Sequence, residues 1–262
     1  MGLTWILEQG VFADQGAELA CAARAAGHAV IEGDEHELAR KLDRGFAGAV
    51  VFHGSLGLAD QLARSPGLRP GAFCRTDEFL ARRSQLRLGA DSVQRRFAMT
   101  TVEALVADPQ SVQELAQDGR VFVRPDSPLK PFSGRVVALD GLTGADLDLG
   151  FYYDDPRLPI LVAPMRELGP ERRFVIAGAE PVAGSGYDPG SRSGLAGDDS
   201  DAARYVRALV RRLDAPELVY GLDVAETENG WRVVELNPFS GMDLYDCDRA
   251  AIVKAVARAL DA

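Results

Sequence analysis

The chain has 262 residues, 47% of them hydrophobic, and a formal net charge of −10. That length accommodates one large domain or two modest ones, and the apolar fraction is sufficient for a proper core. The acidic balance argues against nonspecific binding to nucleic acid or an anionic membrane, which needs basic surface, but leaves room for a local basic pocket that takes a phosphorylated ligand.

In chain order, "TWILEQ" reads as a strand, "GAELACAARAAGHA" as an Ala-rich helix, "AVIE" as a strand and "DEHELARKL" as a helix with an acidic first turn. "GAVVFHGS" is a buried strand, because Val and Phe run together without polar alternation. Single helices between strands predict a small parallel sheet. "ARSPGLRPGAFC", with its prolines and glycines, reads as a linker into a second unit, which divides the chain into 1–75 and 76–262. "TDEFLARRSQLRLG" is a predicted helix with Thr76 as N-cap. A short helix around "DPQSVQELAQDG" then leads to the strand "RVFVRP" and, later, to "LPILVAPM". "RRFVIAGAEPVAGSGYD" is a hairpin turning at Ala177 to Glu180, and "DAARYVRALVRRL" an amphipathic helix. A second hairpin, "ELVYGLDVAETENGWRVVELN", precedes a closing helix, "CDRAAIVKAVARAL".

Cys21, Cys74 and Cys247 are odd in number and form no CxxC pair, which favours a reducing compartment. "MGLTWILEQG" has neither a basic region nor a long apolar run, so no signal peptide or anchor is expected, and no segment approaches the roughly 20 apolar residues of a membrane helix. The expectation is a cytoplasmic protein.

The second hairpin carries the sharpest chemistry. Its turn lies at Glu228, Asn229 and Gly230, where Asn and Gly tolerate positive φ. Symmetric pairing about Asn229 sets Asp223 across from Glu235, and strand alternation puts Asn237 on the side of Glu235. Facing carboxylates are destabilising unless something positive lies between them. Asp, Glu and Asn oxygens suit Mg²⁺ or Mn²⁺ with phosphate completing the shell. A solvated strand end accounts for the same residues equally well.

Cations for phosphates are available. Arg124 ends an apolar strand beside Phe122 and Val123, and Lys130 sits in a loop stiffened by two prolines with Ser133-Gly134 as its exit. Arg172 and Arg173 open another strand on opposite faces, so one is directed inward. Singly, each reads as a solvated surface charge. There is no GxxxxGK[ST] and no strand-linked GxGxxG, so P-loop and Rossmann-type phosphate binding lack support. The histidines, His28, His36 and His53, lack HExxH spacing, and His53 reads as a core or rim residue. Cys247 lies in "YDCD", an acidic setting that raises a thiol pKa and argues against a nucleophile.

Taken together, "APMRELGPERRFVIAGAEPVAGSGY" and "YGLDVAETENGWRVVELNP" resemble the ATP-grasp superfamily over roughly Phe73 to the C-terminus. Arg124 stands where many of its enzymes carry Lys, and "SPLKPFSG" replaces the usual glycine-rich flap, as in a branch with an Arg/Lys arrangement. The resemblance implies an α/β (α+β) ATP-grasp fold with mixed and antiparallel sheets behind a small N-terminal α/β domain. It implies Asp223, Glu235 and Asn237 as Mg²⁺ ligands, Arg124 and Lys130 on ATP phosphates, and the segment Pro164, Met165, Arg166 and Glu167 facing adenine. It also implies Arg173 and Lys130 as catalytic cations, with Ser185 and Tyr187 on the acceptor side. The implied reaction joins a small-molecule or peptide carboxylate to an amine or thiol through an acyl phosphate, with no nucleic acid or membrane as partner. Water exclusion requires a closing loop, for which "DPGSRSGLAGDDS" has the composition. A nucleotide-binding regulator and a phosphotransferase acting on a hydroxyl are the alternatives.

Overall fold

The computed structural model describes residues 2–12, 15–42, 48–65, 67–186 and 200–261. It opens with β1 (Thr4–Glu8), α1 (Gln15–Ala25), β2 (Ala29–Gly33), α2 (Glu35–Leu42), β3 (Val50–His53), α3 (Leu56–Ala63) and β4 (Pro70–Gly71). These strands form one sheet in the order β2-β1-β3-β4, every pair parallel, as the alternation of strands and helices requires. Helix α3 falls where the sequence reading passed from strand to linker. Ser55 caps it, its hydroxyl accepting from the Leu58 N–H at 3.3 Å.

The stretch expected to be a linker is not one. Gly71 has φ 74, and a Cβ there would lie 2.6 Å from the Leu68 carbonyl oxygen, so glycine alone lets the chain turn and lay Pro70 and Gly71 beside Val50 and Val51. Phe73 and Cys74 are buried immediately afterwards.

The chain continues through α4 (Ala81–Leu88), β5 (Ala98–Thr101), α5 (Val102–Ala107), β6 (Arg120–Pro125), β7 (Arg135–Ala138) and β8 (Pro159–Ala163). Helix α4 starts later than expected, and Thr76 is not its cap. Thr76 to Phe79 make a turn closed by the Phe79 N–H on the Thr76 carbonyl, and Glu78 binds Arg83 and Arg87 instead of a helix terminus. The N-cap position, Leu80, offers no side-chain acceptor. Asp126 supplies one, taking the Arg82 N–H at 2.8 Å. β5, β6, β7 and β8 form an antiparallel sheet in the order β5-β8-β6-β7.

Then come β9 (Glu171–Ala177), β10 (Glu180–Gly186), α6 (Asp201–Val210), β11 (Val219–Thr227), β12 (Gly230–Pro238) and α7 (Arg249–Asp261). The four strands form the third sheet, β10-β9-β11-β12, and both predicted hairpins are present within it. The alternating opening and the two antiparallel sheets together make the α+β architecture expected.

The chain divides into two compact units: Met1–Arg75 with Gly169–Trp231 and Leu236–Ala262, and Thr76–Leu168 with Arg232–Glu235. In the first, Trp5, Leu7, Val175, Phe239, Val253 and Val256 form a continuous core from strands of two sheets and α7. In the second, Val102, Leu105, Val121, Val123, Ile160 and Val162 bury the inner face of the β5-to-β8 sheet under α5. No helix among the described residues is long and apolar enough to cross a membrane.

Candidate active site

In the first unit the central feature is Arg173. Register places it directly beside Ser185 on β10 and Asp223 on β11. Its Nε donates to Asp223 Oδ1 at 2.8 Å and its Nη2 to Asp223 Oδ2 at 2.7 Å, a bidentate pair with both side chains almost fully buried. The third donor, Nη1, reaches the Asp243 carbonyl at 2.8 Å, and the guanidinium lies over the Tyr245 ring, 4.9 Å from its centroid. Asn237 Nδ2 donates to Asp223 Oδ2 at 2.9 Å, so the acid and the amide meet directly. Alternation sends Arg172 to the other face, against Trp231. Asp223 faces a guanidinium on one side and an amide on the other, which meets the electrostatic requirement that facing carboxylates raised in the sequence.

In the second unit Glu235 sits between two cations. Arg124 Nη2 donates to Glu235 Oε2 at 2.9 Å and Lys130 Nζ to Glu235 Oε1 at 2.7 Å. Two positive charges on one carboxylate leave this group net positive, the polarity a phosphate needs. Lys130 is half-exposed and adopts φ 49, a left-handed conformation uncommon outside glycine. Its loop is closed by the Lys130 N–H on the Ser127 carbonyl, and Gly134 admits the Phe122 ring, which a Cβ would meet at 2.7 Å. Just past Arg124, burial raises the pKa of Asp126, an effect opposed by hydrogen bonding from the Arg82 backbone and by the charges of Arg82 and Arg124.

A family model described as an ATP-grasp domain, the third family of its clade, matches residues 75–256. The chain belongs to this ATP-grasp family. Its fold is shared by D-cycloserine synthetase DcsG (15% identity, 99% of each chain covered, TM-score 0.67). It is shared also by D-alanine–D-alanine ligase from Bacillus anthracis in complex with ATP (13% identity, 100% of this chain and 98% of that one, TM-score 0.65). A third likeness is to the ATP-grasp ligase PsnB bound to a phosphomimetic variant of its minimal precursor, Mg and ADP (15% identity, 99% of each chain, TM-score 0.59). No curated protein matches the chain in sequence.

The remaining candidates of this ATP-grasp chain lie as follows. Pro164 is buried at the end of β8, Met165 is half-buried, and Arg166 and Glu167 are exposed in the irregular segment beyond. Ser185 is buried, its hydroxyl donating to the Gly186 carbonyl at 3.0 Å and accepting the Asp246 N–H at 3.3 Å. Tyr187 lies outside the described residues, as does all of "DPGSRSGLAGDDS" except Ser200, the N-cap of α6. His53 is a core residue whose Nε2 contacts the Met242 carbonyl at 3.1 Å, and burial lowers its pKa to about 4. The Cys247 thiol is pushed up to about 12. The larger cause is burial rather than the acidic neighbours that the sequence emphasised.

Among the described residues no group of three or more His, Cys, Asp or Glu is arranged to hold a metal ion. Asp223, Glu235 and Asn237 nonetheless offer the hard oxygens of one or two carboxylates and an amide, the protein share that Mg²⁺ takes when phosphates and waters supply the rest. The sequence reading did not single out Asp243, Tyr245 and Arg249. A faint signal existed for Arg249: a cation in the first turn of a helix opposes its dipole and therefore serves something else.

Proposed function

We propose that the protein is an ATP-dependent ligase joining a carboxylate to an amine or thiol through an acyl phosphate, with release of ADP and phosphate. Membership of the ATP-grasp family supports the coarser part, an ATP-using ligase. The observation that carries the finer part is the charge arrangement: Arg124 and Lys130 converging on Glu235, and Arg173 held rigidly on Asp223. These are cations for a polyphosphate and for a phosphoryl group in transfer.

In this reading Arg124 and Lys130 bind the ATP phosphates, and the backbone from Pro164 to Glu167 faces adenine. Asp223, Glu235 and Asn237 hold Mg²⁺ or Mn²⁺, which supplies neutralisation of charge on the phosphate oxygens. A carboxylate oxygen of the substrate attacks the terminal phosphorus, the bond to the ADP oxygen breaks, and the electron pair leaves with ADP. The amine or thiol then attacks the acyl carbon and phosphate departs. Arg173 contributes by meeting charge on the transferring group with donors already in place, so no reorganisation is needed at the moment of reaction. Ser185, beside Arg173 on β10, lies on the acceptor side.

The test is nucleotide analysis of purified protein incubated with ATP, Mg²⁺ and pools of carboxylates plus amines. ADP forming in step with one acid, and a hydroxamate when hydroxylamine replaces the amine, is the expected result. AMP and pyrophosphate overturn the acyl-phosphate mechanism. Tight ATP binding without turnover across the panel favours a regulator.

A further inference from the structure

The segment after β12, Met242 to Cys247, has no regular secondary structure, yet side chains from five separate elements hold its backbone. His53 of β3 binds the Met242 carbonyl, Arg173 of β9 the Asp243 carbonyl, and Gln15 of α1 accepts the Leu244 N–H at 3.1 Å. Ser185 of β10 accepts the Asp246 N–H. Arg249, at the start of α7, does the most: Nη1 donates to the carbonyls of Leu244 and Cys247, and Nη2 to that of Tyr245. Buried carbonyls seldom stay unpaired, but they are seldom gathered by one guanidinium. Within this loop Tyr245 takes φ 46, a left-handed conformation that a bulky residue keeps only when its surroundings over-determine it. Its N–H is fixed by Asp243 Oδ1 at 2.7 Å. The outcome of this bracing is that the Asp243 carbonyl and the Tyr245 ring both bear on Arg173.

We infer that Arg249 is a positioning residue for Arg173: by gathering the carbonyls of Leu244, Tyr245 and Cys247 it holds the Asp243 carbonyl and the Tyr245 ring against the Arg173 guanidinium. The inference rests on the role proposed for Arg173, since it explains how that cation is fixed before substrate arrives. Asp223 binds two of the guanidinium donors, but a pair of parallel hydrogen bonds still allows the plane to rock about the carboxylate. The third bond and the ring beneath remove that freedom, and a transferring group misplaced by even an ångström loses much of its stabilisation. Lysine is no substitute at 249, because a point charge lacks the planar fork that spans three carbonyls.

The experiment follows the Arg173 side-chain Nε–H signal by ¹⁵N-resolved NMR, assigned by its loss in Arg173→Lys, in wild type, Arg249→Lys and Tyr245→Leu. In folded Arg249→Lys the signal is expected to shift, and its solvent exchange to accelerate by about tenfold or more. A purely structural Arg249 would lower the melting temperature and leave that signal where it was, and this result overturns the inference. If Arg249→Lys does not fold, Tyr245→Leu decides: faster exchange at Arg173 supports the loop as its brace, and unaltered exchange sinks it. ADP formation is measured on the same samples. Disturbed exchange with undiminished ADP formation leaves the positioning intact and removes Arg173 from phosphoryl transfer, so the two readings fail separately.

Discussion

Arg173 and Asp223 stand opposite each other on β9 and β11 and share two charged hydrogen bonds with almost no exposure to water. A buried pair of this kind adds little net stability, because desolvation offsets the attraction, but removing one partner strands the other. Asp223→Asn and Arg173→Met are therefore expected to destabilise the protein by about 3–5 kcal/mol each. The double change Arg173→Met with Asp223→Leu is expected to cost less than either alone. Urea unfolding curves for the four proteins check this, and simple additivity of the single effects contradicts it.

Glu235 offers a contrast, being partly open to solvent and shared by Arg124 and Lys130. Glu235→Gln keeps the shape and one acceptor, so the melting temperature is expected to stay near that of wild type. If Glu235 helps hold the divalent cation, metal-dependent ADP formation should fall by about 10–100-fold. Unchanged turnover in the folded variant removes Glu235 from the metal set.

Lys130 combines a phosphate-facing charge with a left-handed backbone. Lys130→Ala is expected to weaken ATP binding by about 1.5–3 kcal/mol, the range for a hydrogen bond to a charged group, with apo stability little changed. Lys130→Gly should lose the same affinity yet be more stable than Lys130→Ala by about 1 kcal/mol, because glycine takes positive φ without a Cβ clash. Calorimetric titration with ATP and thermal melts separate the two effects. A Lys130→Ala protein that collapses without nucleotide but binds ATP normally would make the loop structural.

The sequence shows most of the strands because their apolar runs and turns are local properties: both hairpins and the parallel opening sheet lie where patterning put them. What it does not show depends on contacts distant along the chain. Helix α4 begins at Ala81 because Asp126, far along in sequence, supplies the missing cap. β4 exists because a left-handed Gly71 brings two residues alongside β3. In the site, residue types identified Arg173, Asp223 and Asn237 as charged or polar groups on neighbouring strands, and strand register then makes them partners. Tyr245 was not legible. Neither its left-handed conformation nor its ring beneath Arg173 leaves a trace in "MDLYDCD", since both follow from Arg249 and the strands around the loop.

Burial raises the thiol pKa of both Cys74 and Cys247 to about 12, so neither is a nucleophile near neutral pH, whereas Cys21 is exposed. A maleimide reagent at pH 7 is expected to modify Cys21 alone in the folded protein and all three cysteines in urea. Mass spectrometry of digested samples reads this directly. Rapid modification of Cys247 in the native state would reopen its candidacy as a covalent centre.

His53 sets a pH dependence that belongs to the fold. Buried between Phe12 and Phe239 with its Nε2 proton on the Met242 carbonyl, it has a pKa lowered from 6.5 to about 4, with burial as the main cause. Nearby Asp243 favours the charged form and Arg249 opposes it, and neither outweighs desolvation. Because the folded pKa is the lower one, the unfolded chain binds a proton first as pH falls. The stability that neutral His53 permits is present in full above 6.5, declines as pH drops from 6.5 to about 4, and is flat below. That interval corresponds to about 3 kcal/mol. His53→Gln, whose amide can still donate to the Met242 carbonyl, is expected to remove this part of the slope while other acid-sensitive groups keep theirs. Urea unfolding at intervals between pH 7 and 4 compares the two proteins, and parallel stability profiles would show that His53 does not carry the effect.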